Sequence, residues 1–227
     1  MQQSDALVLF DIDGTLVRRA GPHHREALVE AIRRTAHVET TTEGVPVAGM
    51  LDRDILASMM LSAGMSRRAI GQVMPEVVAR AQSIYVRSVP DISRKVCPGV
   101  RSLLRRLTAR GVVIGLVTGN LSRIGWRKME RAGLKQYFRF GAFAEMARDR
   151  AGLVRVAIRR ARSDGWIGRK SAITLIGDHP NDVLAAKANH IRSVAVGTGI
   201  VSLEELQSHS PLIAIPDLRS LKLADLL

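Results

Sequence analysis

An apolar run that ends on two carboxylates and a glycine constrains this chain more than any other stretch. Residues 7–10 read Leu-Val-Leu-Phe, and Asp11, Asp13 and Gly14 follow almost at once. A short apolar run bounded by a turn signal is typical of a strand buried on both faces of a parallel sheet. Charged side chains rarely lie inside such a strand. We therefore expect both aspartates at its carboxyl end, where ligands bind in open α/β sheets.

The spacing of Asp11 and Asp13 brings their carboxylates close together. Alternation along an extended chain directs both side chains to the same side, with Ile12 turned the other way. Two neighbouring carboxylates raise the pKa of one of them or recruit a cation, so the pair suits proton transfer or a magnesium site. An acidic turn that merely closes the strand would carry the same residues, and the rest of the chain has to decide between these interpretations.

Length and composition favour a folded protein with a full core. The chain has 227 residues and is 46% hydrophobic, which allows one large domain or a domain with an insertion. It shows no run of about 18 apolar residues and no basic-then-apolar leader, which predicts a cytoplasmic protein without a membrane partner. The single cysteine, Cys97, excludes an internal disulfide and a cysteine cluster for zinc.

The net charge of +13 raises the question of an anionic partner. The arginines are spread along the chain as pairs and do not form one block, and aromatic residues make up only 4%. This pattern argues against nucleic acid, because single-strand binding surfaces need aromatic stacking platforms. A small anionic substrate fits the charge equally well.

Helical periodicity dominates the section that follows the first strand. The pattern predicts helices at 23–35 and 52–64, a loop at 40–49, and one or two further helices at 66–89, interrupted near Pro75. No strand pattern occurs across roughly 75 residues, which is far longer than an ordinary connection. The sequence therefore predicts an inserted helical domain.

A regular alternation of helices and strands begins at Pro98. The predicted helices are 99–110, 122–132, 153–161 and 183–188, and the predicted strands are 112–117, 138–143, 172–176, 193–196 and 212–214. Helices between strands imply right-handed crossovers and a parallel sheet. We therefore expect an α/β fold with a parallel-sheet core that carries the helical insertion.

Polar clusters follow three of the predicted strands. They are Asp11 with Asp13, then Thr118, Gly119 and Asn120, and finally Asp178 with Asp182. The carboxyl ends of parallel strands lie at one edge of the sheet, so these clusters should meet there. Any one of them could be a turn, but three at one edge favour a functional site.

In these residues the chain resembles the haloacid dehalogenase superfamily of phosphotransferases. Residues 11–16 (Asp-Ile-Asp-Gly-Thr-Leu) are similar to its first motif, residues 118–120 (Thr-Gly-Asn) to its second, and residues 177–182 (Gly-Asp-His-Pro-Asn-Asp) to its fourth. The helical insertion is similar to the cap of phosphoglycolate-phosphatase-like members. The resemblance implies a Rossmann-like core at 1–17 and 93–227 and an α-helical cap at 18–92.

The resemblance also implies a reaction, the Mg²⁺-dependent hydrolysis of a small phosphorylated metabolite. Asp11 would take the phosphoryl group as an aspartyl-phosphate, and Asp13, with a raised pKa, would protonate the leaving alcohol and then activate water. Mg²⁺ would lie between the Asp11 carboxylate, the Asp13 backbone carbonyl and Asp178, with Asp182 anchoring its water shell. Such a site requires Asp178 within about 8 Å of Asp11.

Phosphate oxygens would be held by the second motif and by a cationic side chain. Thr118 and the backbone N–H groups near Gly119 and Asn120 suit this role. The family's third motif, a Lys or Arg, departs from the usual pattern here.

Lys170 is one candidate for the third motif, but it begins the strand that leads to Asp178. About 25 Å of extended chain would separate it from the site. We favour Arg150, just before a predicted helix, with Arg148 as the alternative.

Two other functions remain open beside the phosphatase. A phosphomutase similar to beta-phosphoglucomutase would pass the phosphoryl group back to a sugar instead of to water, and it also needs Asp13. A basic nucleic-acid-binding protein on a hydrolase fold would use the positive charge. A gel shift would reveal it, because backbone binding weakens steeply with salt.

Overall fold

The structure is a computed structural model that describes residues 3–18 and 21–226. Six strands form one sheet: β1 (Ser4–Phe10), β2 (Val113–Val117), β3 (Phe140–Ala142), β4 (Ile167–Gly177), β5 (Arg192–Val196) and β6 (Ile213–Ile215). All neighbouring strands pair in parallel, in the order β3-β2-β1-β4-β5-β6. Because β1 lies between β2 and β4, the residues after β1 enter the middle of the sheet's carboxyl edge.

Eight α-helices accompany the sheet in the described part of the chain. They are α1 (His23–Ala36), α2 (Asp52–Ser62), α3 (Arg67–Ser88), α4 (Val100–Ala109), α5 (Ser122–Arg131), α6 (Arg150–Ser163), α7 (Pro180–Ala188) and α8 (Leu203–Ser208). The first three and their connections lie between β1 and β2 and are called the helical insert below. The predicted α/β class, with a parallel sheet and a helical insertion, is confirmed.

The buried strand at the start of the chain is present as predicted. Leu7, Val8, Leu9 and Phe10 are all fully buried, since helices cover both faces of the sheet. Most buried apolar side chains of the sheet, the flanking helices and the helical insert form one core, and Val183, Ala195 and Leu206 form a small second cluster. Among the helices of the described residues, none combines the length and the apolarity needed to cross a bilayer.

Several elements begin earlier than predicted, as β4 does at Ile167, and two larger differences concern helices. The predicted interruption near Pro75 is wrong, because α3 is one helix from Arg67 to Ser88 with Pro75 inside it. Buried side chains on both sides of the proline, Met74 and Val77 among them, anchor the helix against its neighbours. The short helix α8 was not predicted, since its six residues span less than two turns and give little periodicity.

The two chain segments that connect the helical insert to the sheet run side by side. The Arg18 N–H donates to the Lys95 carbonyl at 2.7 Å, and the Cys97 N–H donates to the Leu16 carbonyl at 3.0 Å. Val17 and Val96 form an antiparallel bridge between them. This paired stem holds the base of the insert next to the turn that carries Asp13.

Candidate active site

Three carboxylates from distant parts of the chain meet at the carboxyl edge of the sheet. Asp11 follows β1, Asp178 follows the adjacent β4, and Asp182 lies in the first turn of α7. All three are buried, and one oxygen of each lies within 4.8 Å of the others. The separation of Asp11 and Asp178 is therefore well inside the limit that a shared cation requires.

Burial makes these carboxylates unusual acids. It raises the pKa of Asp11 to about 6, against the opposing charge of Arg150 and with added repulsion from Asp182 and Asp13. Burial, with the charges of Asp11 and Asp182, raises the pKa of Asp178 to about 8. The pKa of Asp182 is also raised by burial. Mutual repulsion in a water-poor site disfavours three simultaneous negative charges unless a cation joins them.

Arg150 supplies one positive charge to this cluster. Its Nη1 donates to Asp11 Oδ1 at 3.0 Å, and its Nε lies 3.0 Å from Asp182 Oδ1. Asp149 caps α6 by accepting from the Gly152 N–H at 2.6 Å, which starts the helix at Arg150 and aims this side chain inward. The arginine is 8% exposed, whereas Arg148, two residues earlier, is exposed. Of the two candidates, Arg150 alone contacts Asp11 here.

The donor set fits a hard divalent cation. Arg150 leaves two of the three negative charges uncompensated, and Asp182 Oδ1 is buried without a hydrogen bond. Carboxylate oxygens are the ligands that Mg²⁺ prefers. Gly14 and Gly199 keep space beside Asp178, since a Cβ at either would overlap its carboxylate. The side chains of Asp11, Asp178 and Asp182 would hold such an ion.

The carboxylate of Asp13 does not join the cluster. Its oxygens accept from Lys128 Nζ at 2.7 and 2.6 Å and from Asn120 Nδ2 at 2.7 Å. Loss of hydration acts to raise the pKa of Asp13. The charges of Lys128 and His24 and the hydrogen bonds from Lys128 and Asn120 have the opposite effect and are stronger, so the pKa is lowered. The expectation of a raised pKa is wrong for Asp13, because Lys128 compensates its charge. Its side chain keeps 41% exposure, so a substrate can reach it.

Lys128 is the site residue that the sequence analysis missed. It lies in α5 among the buried positions Ile124, Gly125 and Met129 and is 1% exposed. The signal was a lysine on the apolar face of an amphipathic helix, a place where a charge is almost never buried unless it is paired. Helical periodicity identifies that position, but not its partner.

The polar cluster after β2, residues 118–120, makes hydrogen bonds within itself and with the helical insert. Thr118 Oγ1 accepts from Asn120 Nδ2 at 2.7 Å and from the Asn120 N–H at 3.3 Å. The Gly119 carbonyl accepts from the Asp52 N–H at 2.7 Å, and a Cβ at Gly119 would overlap the carbonyl of Met50. Phosphate binding by Thr118, Gly119 and Asn120 stays a prediction, while the structure makes Gly119 a contact between core and insert.

The helical insert also reaches the loop that carries Asp178. Asn181 Nδ2 donates to the Gly49 carbonyl at 3.0 Å, and a Cβ at Gly49 would overlap His179. Residues 49–52 therefore bridge the loops after β2 and β4. This bridge ties the helical insert to both loops that lie beside the acidic cluster.

Fold and site together define a class of protein, the α/β enzymes with an acidic site at the carboxyl edge of a parallel sheet. In this chain the site lies beside a helical insert and suits a cation. The model of one family, the haloacid dehalogenase-like hydrolases, matches residues 6–190. The chain belongs to this family. The predicted resemblance is thereby confirmed.

Curated relatives cover nearly the whole chain. A phosphoglycolate phosphatase of Pseudomonas fluorescens strain Pf0-1 is 27% identical over 229 residues, which span 96% of this chain and 79% of the relative. A phosphoglycolate phosphatase of Vibrio parahaemolyticus is 25% identical and spans 92% of this chain and 91% of its own. The predicted enzyme class, a phosphatase of this family, is confirmed by these relatives and the family match.

Solved structures share the fold at lower identity. A beta-phosphoglucomutase from Clostridium difficile aligns with a TM-score of 0.69 and 18% identity, covering 97% of this chain and 94% of its own. A predicted phosphoglycolate phosphatase from Haemophilus somnus 129pt aligns with a TM-score of 0.65 and 16% identity, covering 96% of each chain. At such identities the similarity concerns the fold and not the substrate.

Proposed function

We propose that this protein is a Mg²⁺-dependent phosphatase that hydrolyses a small phosphomonoester through an aspartyl-phosphate on Asp11. The observation that carries the proposal is the convergence of Asp11, Asp178 and Asp182, with oxygens within 4.8 Å of one another, beside a single buried Arg150. A phosphoryl group brings negative charge, so its site needs more positive charge than Arg150 supplies. When bound, Mg²⁺ would supply that charge and polarise the phosphoryl oxygens.

Asp11 and Asp13 have separate roles in this proposal. Asp11 attacks phosphorus, and its hydrogen bond from Arg150 orients the attacking carboxylate. Asp13 gives a proton to the leaving oxygen and later takes one from water. The exposed part of its side chain supports contact with the substrate, and Lys128 favours the ionised form that accepts a proton from water.

We further propose that residues 18–92 are a cap and that the core comprises 1–17 and 93–227. The paired stem and the contacts of Gly49 and Asp52 with the core support a cap that closes over the acidic cluster. Closure would exclude water while the phosphoryl group moves to Asp11. Thr118, Gly119 and Asn120 would then hold phosphate oxygens in the closed site, with Arg150.

We propose phosphoglycolate, or a similarly small acidic phosphomonoester, as the substrate class. The curated relatives named as phosphoglycolate phosphatases support it at about 27% identity. The net charge of +13 supports an anionic substrate as well. Phosphoglycolate is therefore the first compound to assay.

The test is a phosphate-release screen over a metabolite panel, with Mg²⁺ and with EDTA, beside Asp11→Asn. The proposal predicts release that needs Mg²⁺ and is abolished by Asp11→Asn, which removes the nucleophile but keeps its shape. Activity that survives this substitution would rule out the aspartyl-phosphate. Transfer of the phosphoryl group to a sugar, with no free phosphate, would instead indicate the phosphomutase.

A further inference from the structure

Lys128 is a buried charge that neither gives nor takes a proton in the proposed chemistry. Its side chain is 1% exposed, and desolvating an ammonium group is unfavourable unless good partners compensate. The Asp11 nucleophile already has its own cation in Arg150. A second buried cation at the same edge of the sheet therefore calls for a separate explanation.

The contacts of Lys128 concentrate on one carboxylate. Its Nζ lies 2.7 Å from Asp13 Oδ1 and 2.6 Å from Asp13 Oδ2, and it donates to Asn120 Oδ1 at 2.6 Å. The same Asn120 donates through Nδ2 to Asp13 Oδ2 at 2.7 Å. Two linked donors thus fix both the position and the plane of the Asp13 carboxylate.

Residues of the helical insert close the other side of the ammonium group. Lys128 Nζ lies 3.2 Å from His24 Nδ1, and His24 Nε2 lies 3.0 Å from Asp52 Oδ2. The two ring nitrogens of His24 therefore link Lys128 to Asp52. The ring of Tyr85 also faces Lys128, 6.0 Å from Nζ. Enclosed in this way, the ammonium group forms its ion pair with Asp13.

We propose that Lys128 is a positioning residue for Asp13, and this inference rests on the proposed phosphatase function. In the first step the bond between Asp11 and phosphorus forms as the bond to the leaving oxygen breaks, and that oxygen takes a proton from the Asp13 carboxyl. In the second step, the oxygen of a water molecule bonds to phosphorus, and the bond between phosphorus and Asp11 breaks. The water gives a proton to the Asp13 carboxylate as it attacks. Both steps need Asp13 in one place, and Lys128 holds it there.

A double-mutant cycle of Lys128→Met with Asp13→Asn tests whether Lys128 acts through Asp13. Each single variant should lower kcat by about 10²-fold or more, and the double variant should be no slower than Asp13→Asn alone. Lys135→Met, which removes an exposed lysine, is the matched control and should keep the wild-type rate. Effects that multiply in the double variant would overturn the inference.

Burst kinetics with 4-nitrophenyl phosphate give a second readout that a merely structural role would not move. Its leaving group departs without a proton, so Lys128→Met should still form the aspartyl-phosphate but hydrolyse it slowly. We expect a burst of about one nitrophenolate per active site before a slow steady rate. Loss of burst and steady rate together would indicate general damage and contradict the positioning role.

Lys128→Gln, which keeps a hydrogen-bond donor toward Asp13, enters the same cycle if Lys128→Met fails to fold.

Two further outcomes separate this inference from the proposed function. A wild-type protein without Mg²⁺-dependent phosphatase activity would overturn the proposed function and this inference with it. An active wild type beside a fully active Lys128→Met would overturn the inference alone.

Discussion

Arg150 Nη1 donates to Asp11 Oδ1 at 3.0 Å, and both side chains are buried. The guanidinium pKa is raised, because the charges of Asp11, Asp182 and Asp178 outweigh the burial that opposes it. Arg150 therefore stays charged and orients the Asp11 carboxylate. By contrast, the neighbouring Asp13 is paired with Lys128, so each of the two carboxylates has its own cation.

Arg150→Met should impair catalysis strongly. The variant removes the charge beside Asp11, and loss of one such preorganised donor typically lowers kcat by about 10²- to 10³-fold. The matched control is Arg148→Met, which removes an exposed arginine two residues away and should change kcat less than about twofold. Steady-state kinetics with the best substrate of the panel make the comparison. A larger loss in Arg148→Met would reverse the assignment of the third motif.

Gly199→Ala should weaken Mg²⁺ binding, because the added methyl group would overlap the Asp178 carboxylate. Displacing a ligand or its support commonly costs about 10- to 100-fold in metal affinity. Gly197→Ala is the control, since its methyl would meet the Pro216 carbonyl only at 3.5 Å. The half-saturating Mg²⁺ concentration for activity measures the effect. Equal values for the two variants would contradict this assignment of Asp178.

Stability without metal should fall as the pH rises. The raised pKa values of Asp11, about 6, and Asp178, about 8, against an ordinary 3.8 mean that the folded state holds these protons more tightly than the unfolded state. That stabilisation is lost between about pH 4 and pH 8. Thermal melting in EDTA should therefore show Tm decreasing over this range.

Added Mg²⁺ should reverse the loss, and more so at high pH. The ion competes with protons for the same carboxylates, so the rise in Tm with Mg²⁺ should be larger near pH 8 than near pH 5. Asp178→Asn removes the carboxyl with the higher pKa and should reduce the difference. A Mg²⁺ effect that does not depend on pH would argue against binding at these residues.

Two glycines should respond to alanine with opposite signs. A Cβ at Gly125 in α5 would overlap the ring of Phe143, so Gly125→Ala should destabilise the fold by about 1–3 kcal/mol. Gly71 in α3 has nothing within 4 Å of such an atom, and Gly71→Ala should stabilise it by about 0.5–1 kcal/mol. Urea unfolding measures both. A stabilised Gly125→Ala would mean that α5 packs less closely than described.

The motif residues could be placed from the sequence because their signals are local. The apolar run before Asp11 defines a buried strand, and Asp178 also follows a strong strand pattern, so both had to lie at the carboxyl edge. The helical insert was predictable because periodicity repeats within each helix. Pro75 misled this reasoning, since packing on both sides of it holds α3 together despite the lost hydrogen bond.

The sequence by itself determined the parallel sheet, the inserted helices and which aspartates face one edge, since strand and helix periodicities depend only on nearby residues. Only the tertiary structure decided how the charges pair. Lys128 and Asp13 are 115 positions apart, and Arg150 and Asp11 are 139 apart. These contacts depend on how closely α5 and α6 pack against the sheet, and that closeness is a property of the assembled core.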